Sequence, residues 1–137
     1  MILLPCDLNK LPVGEAITHL NSKCNPLGRS ILYEYAGAEH LAFVKEEILK
    51  KISLKRFLKD EGLIERTSPI ALCIKNNTEG IPWNLFSPKE CFKNKKKLLK
   101  LFSEAPATKE AEKILLLLDK MKNYEGLQNL KKEEINL

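Results

Sequence analysis

Ile52-Ser53-Leu54-Lys55-Arg56-Phe57-Leu58-Lys59-Asp60-Glu61-Gly62-Leu63-Ile64-Glu65-Arg66 carries the fullest set of start and stop signals in the 137-residue chain. Ser53 is an N-cap type, because its hydroxyl accepts a hydrogen bond from a first-turn amide that has no partner inside the helix. Gly62 can close the helix in the left-handed conformation without steric penalty, and Leu58 and Leu63 stand where a Schellman motif makes its apolar contact. The pattern predicts a helix over 54–61 with Lys55, Arg56 and Lys59 facing out.

Upstream, Leu41, Val44 and Ile48, widened by Ala42 and Leu49, form one stripe that predicts a helix over 38–51. Ile31, Tyr33 and Tyr35 alternate with Leu32, Glu34 and Ala36 between Gly28 and Gly37, which reads as a strand, although so short an apolar run also suits a helix. Val13, Ile17 and Leu20 give a first helix over 13–22, closed by Asn25-Pro26-Leu27-Gly28. Downstream, 63–66 and 70–75 read as short strands joined across Thr67-Ser68-Pro69 as a hairpin. Trp83, Leu85 and Phe86 are expected to cover the core.

Ser87-Pro88-Lys89-Glu90 is a capping box with proline at the first helical position, and Phe86 and Cys91 are placed for a hydrophobic staple. The helix it opens carries Cys91, Leu98, Leu99 and Phe102 inward and ends before Pro106. A last helix runs from near Thr108 to Gly126, with Ala111, Ile114, Leu115, Leu118 and Met121 as a broad apolar band. No internal repeat is visible. The expected fold is α+β: a core over 1–86 made of helix, strand, two helices and β-hairpin, and a C-terminal helical extension over 87–137 packed on it.

That order of elements, together with the phrase Gly62-Leu63-Ile64-Glu65-Arg66 leaving a basic helix, resembles the winged helix-turn-helix DNA-binding domains over residues 13–75. The resemblance implies that 54–61 is the recognition helix, started by Ser53. Lys55, Arg56 and Lys59 would then meet the DNA groove or phosphates, with Thr67 and Ser68 at the wing tip. A basic side chain there either bonds a guanine edge or neutralises phosphate, and the second adds affinity without sequence information.

The net charge is +5, and its distribution is uneven: 88–102 holds six lysines, at 89, 93, 95, 96, 97 and 100, against Glu90 alone. Lys93, Lys95, Lys96, Lys97 and Lys100 suit a polyanion surface, since each neutralised phosphate releases counterions. A merely solvated helix face carries lysine as well. The leading expectation is a non-enzymatic nucleic-acid-binding regulator using these five lysines with Lys55, Arg56 and Lys59. The alternative is a small accessory factor or inhibitor that occupies the surface of a partner protein, itself acidic or nucleic-acid-binding. The apolar band of the 108–124 helix is a candidate homodimer face.

His19 and His40 have no nucleophile motif around them, and no glycine-rich phosphate loop occurs, so no catalytic residue is assigned. Cys6, Cys24, Cys73 and Cys91 are too scattered for a zinc site, and neither metal nor cofactor is expected. The apolar opening Ile2-Leu3-Leu4 runs straight into Pro5, unlike a secretory signal. The longest aliphatic run, Ile114 to Leu118, is far short of the roughly 20 residues of a membrane span. A cytoplasmic protein without membrane contact is the expectation.

Overall fold

The structure is a computed structural model that describes the backbone of residues 2–135 and side chains as far as residue 132. Its helices are α1 (Pro5–Leu8), α2 (Val13–Asn21), α3 (Ile31–Gly37), α4 (Glu46–Leu49), α5 (Leu54–Phe57), α6 (Pro69–Asn76), α7 (Pro88–Lys93), α8 (Lys95–Glu104), α9 (Lys109–Glu112) and α10 (Ile114–Ile135). Two 3-10 turns, His40–Phe43 and Trp83–Leu85, lie between them. Among the described residues there is no sheet; extended pairing is limited to the isolated antiparallel bridges Lys23 with Ser30 and Glu61 with Thr67. The α+β, winged-helix-like core is thereby overturned. The fold is helical, and neither the strand nor the wing hairpin exists.

Of the three supposed strands, 63–66 is a loop, and 31–36 and 70–75 are helices for one shared reason. Ser30 and Ser68 cap them, their hydroxyls accepting from the amides of Tyr33 at 3.2 Å and Ala71 at 3.2 Å. Pro69 adds the preset φ of a first helical residue, the same Ser-Pro signal that opens α7 at Ser87-Pro88. Alternation over 31–36 carried no information about pairing, because α3 buries Ile31, Leu32, Tyr33, Tyr35 and Ala36 nearly all round. Ser53, Ser87 and Thr108 cap α5, α7 and α9 in the same way.

Other boundaries move. The 38–51 helix resolves into a 3-10 turn and the one-turn α4, with Glu39 left-handed (φ 63°), yet Leu41, Val44 and Ile48 are buried as the stripe required. The 54–61 helix stops at Phe57, because the backbone of Glu61 is taken by Thr67 in both directions at 3.0 Å. Gly62 is left-handed (φ 85°), but it forms a loop corner and not a helix stop. Asn94 separates α7 from α8, and α10 runs through Gly126 to Ile135.

A repeat that the letters hide emerges in space. Each of α3 and α6 follows a bridged loop and a serine cap, and α3 packs against α6. The loops also stack: the Leu63 amide donates to the Leu27 carbonyl at 2.8 Å. At the other end α10 lies along α7 and α8, burying Leu117, Leu118 and Met121. One apolar cluster joins both ends, from Leu8 through Tyr35, Phe57 and Ile74 to Trp83, Leu98 and Ile114. Trp83 is buried, its indole N–H donating to the Glu110 carboxylate at 3.3 Å. Lys120 donates to the carbonyls of Trp83, Asn84 and Phe86, the last at 2.7 Å, and so fastens this 3-10 turn to α10.

Candidate interaction surface

The basic residues expected to act together divide into an internal set and an outward set. Arg56 is internal. Its guanidinium donates to Asn21 Oδ1 at 2.8 Å, Glu61 Oε2 at 2.8 Å and Ser30 Oγ at 2.9 Å, tying α5 to the two stacked loops. Glu61 is only 4% exposed, and its other carboxylate oxygen accepts from the Ser30 amide at 2.8 Å. A buried carboxylate requires such a partner, since burying an unpaired charge is prohibitively unfavourable. Lys55 and Lys59, on the same segment, are exposed.

The Arg56 node holds up a loop that the sequence reading had cast as a wing strand. Residues 62–67 leave the Glu61–Thr67 bridge and return through Gly62 and Arg66, both left-handed at φ 85° and 47°. The Arg66 amide donates to the Gly62 carbonyl at 3.3 Å, and the Thr67 hydroxyl to the Glu65 carbonyl at 3.1 Å. Glu65 pairs with Arg29 of the neighbouring loop, which also lies 3.7 Å from Glu34 and over the Tyr33 ring. A non-glycine residue rarely adopts φ near Arg66's value, so surrounding contacts impose the loop's shape. At its tip Leu63 and Ile64 are 69% and 79% exposed. Single exposed aliphatic residues are ordinary; two adjacent ones held out on a fastened loop are not.

The outward lysines lie on α7 and α8. Lys93, Lys96, Lys97 and Lys100 are exposed, while Lys95 is half-buried against the Phe92 ring and 3.3 Å from Glu125. Lys97 and Lys100, three apart on one face, reach a cleft of about 250 Å³ whose other wall is Asp60, just before the loop, and the loop's returning limb with Arg66, Thr67 and Ser68. Leu58, Ala71 and Leu101 supply its apolar lining, and Glu104 a second acid. Folding thus brings two of the eight predicted residues, Lys97 and Lys100, to the loop that follows Lys59, and ties up the half-buried Arg56 in contacts within the chain.

Leu63, Ile64 and Arg66 were missed as surface residues because a strand reading sends alternate side chains inward. The signal that could have found them is Ser68-Pro69, which makes a helix of the next segment and a loop of this one. A cavity of about 500 Å³ lies elsewhere, walled mainly by Val44, Leu49, Ile81, Pro82, Trp83 and Leu116, with Glu46 and Lys113 as its ionisable groups. His19 accepts from the Leu3 amide at 3.1 Å, and burial pushes its pKa below the usual 6.5. His40 packs edge-on to Tyr35. Among the described residues no group of three or more His, Cys, Asp or Glu is placed to hold a metal, and no helix is long and apolar enough to cross a membrane. The apolar band of α10 is partly consumed within the chain through Ile114, Leu117, Leu118 and Met121, leaving Leu115, Leu116, Leu127 and Leu130 outward. Comparison with protein families, with curated proteins and with solved structures finds no match to this chain.

Proposed function

We propose that the protein is a binding module that occupies the surface of a partner protein through the 62–67 loop. The observation that carries the reading is the fastened loop with Leu63 and Ile64 held in solvent. Burying an aliphatic side chain yields about 1.5–3 kcal/mol, and a loop already held in shape loses little conformational entropy on docking. Two such side chains side by side offer a partner one apolar contact whose burial adds both contributions.

Nucleic-acid binding is the second reading, favoured by Lys93, Lys96, Lys97 and Lys100 having no carboxylate within ion-pair distance among the described residues. It no longer has a recognition helix, because α5 is one turn long and Arg56 is engaged internally.

Immobilised full-length chain and its Leu63→Ser/Ile64→Ser variant are compared for what they retain from host extract, and the retained protein is then titrated against each by calorimetry. The expected result is a stoichiometric complex weakened at least about tenfold in the variant. Equal binding by both rejects the loop as the contact. Binding to random duplex or single strand that falls steeply with salt and ignores the double substitution favours the second reading instead.

A further inference from the structure

Resting on the protein-binding reading, we infer that the cleft between the 62–67 loop and α8 receives an acidic segment of the partner, its carboxylates meeting Arg66, Lys97 and Lys100. All three cations line the cleft, and none has a carboxylate within 4.0 Å among the described residues. They differ in this from the basic residues deeper in the loop stack, where Arg56 is matched to Glu61 and Arg29 to Glu65. Lys97 and Lys100 come from one helix face and Arg66 from the opposite wall, so a carboxylate entering between them is approached from two sides. Leu58, Ala71 and Leu101 give the aliphatic parts of the same segment an apolar surface. The tip of the same loop carries the exposed Leu63 and Ile64, three and two residues before Arg66 in the chain.

Two acids in the same cleft, Asp60 and Glu104, decide which anion fits. A nucleic-acid backbone carries closely and evenly spaced charge, one per ≈1.7 Å of duplex axis, and would pass these carboxylates with phosphates it cannot omit. A peptide spaces its carboxylates with neutral residues and avoids them. Like-charge juxtaposition of this kind is how an interface rejects the wrong partner.

The test uses isotope-labelled full-length chain and three peptides of one leucine- and serine-containing sequence, bearing glutamate, glutamine or lysine at the charged positions, with an oligonucleotide of equal charge as a fourth probe. The glutamate peptide is expected to shift the amides of residues 66–71 and 97–101 and to bind about tenfold more weakly to Lys97→Glu/Lys100→Glu. Asp60→Asn/Glu104→Gln is expected to admit the oligonucleotide. Lys97→Gln/Lys100→Gln serves if charge reversal disturbs the remaining spectrum. Equal binding of the glutamine peptide, shifts elsewhere on the molecule, or tighter binding of the oligonucleotide to the unaltered chain overturns the inference. If the captured partner is lost by Leu63→Ser/Ile64→Ser and unaffected by Lys97→Glu/Lys100→Glu, the acidic segment is rejected and the binding module stands. A partner bound equally by both variants rejects both.

Discussion

Arg56 and Lys97 are both basic residues on helices beside the same loop, and they do opposite things. Around Arg56, two stacked loops are joined by a buried carboxylate, a serine hydroxyl and an asparagine side chain, and the guanidinium's fork is matched to all three. Around Lys97, a flexible side chain reaches a cleft with no carboxylate in ion-pair range among the described residues. What separates the internal strut from the proposed docking group is the burial of the acid within reach, since a buried Glu61 must be satisfied whereas an exposed lysine is satisfied by water.

The largest test of this contrast is Arg56→Met, which leaves Glu61 buried without its cation. Breaking one side of a buried pair costs about 3–5 kcal/mol, and urea unfolding should show a loss of that size. Adding Glu61→Leu should recover part of the loss but not all, because the Ser30 amide then has no acceptor, a deficit of about 1–3 kcal/mol. Full recovery would mean that the node is a charge pair only. Ser68→Ala, at the cap where loop becomes α6, should lower stability by about 1 kcal/mol in the same assay. On the other side of the comparison, Lys96→Ala and Lys97→Ala should leave stability within about 0.5 kcal/mol while Lys97→Ala weakens partner binding. A destabilisation by Lys97→Ala equal to that of Arg56→Met would erase the distinction.

The smallest expected effect concerns pH where α2 meets the N-terminal segment. His19 must be neutral at Nε2 to accept from the Leu3 amide, and its folded pKa lies below 6.5. The unfolded chain therefore takes up a proton first on acidification. The contribution of His19 is fully present above pH 6.5 and is lost as pH falls through the folded value. Proton-resolved titration of His19 should give a midpoint below 6.5, and His19→Gln should remove this part of the pH dependence.

Much of the local punctuation was legible. Ser53, Ser87 and Thr108 open helices where the capping rules put them, Gly62 is left-handed, and Leu41, Val44, Ile48, Leu98, Ile114 and Met121 face the core. The errors came where a local signal had two uses. Gly62 suits a helix stop and a loop corner equally, and Tyr33 and Tyr35 have high strand propensity but lie in a helix that neighbours enclose. Glu90 shows the same ambiguity within a correct assignment: the Ser87 hydroxyl takes its amide as the capping box requires, yet its carboxylate turns away to accept from the Leu54 amide at 2.7 Å.

By itself the chain determined the helix starts at Val13, Leu54, Pro88 and Lys109, which side chains are apolar enough to be enclosed, and that lysine is concentrated between residues 88 and 102, because these depend on neighbours within a few residues. Only the tertiary structure decided that α3 packs against α6, that Arg56 is engaged within the chain, and that Arg66 stands across a cleft from Lys97 and Lys100. Those outcomes depend on which segments distant in the chain meet, such as Glu61 with Ser30 and α3 with α6, and such meetings are set by packing the whole core at once.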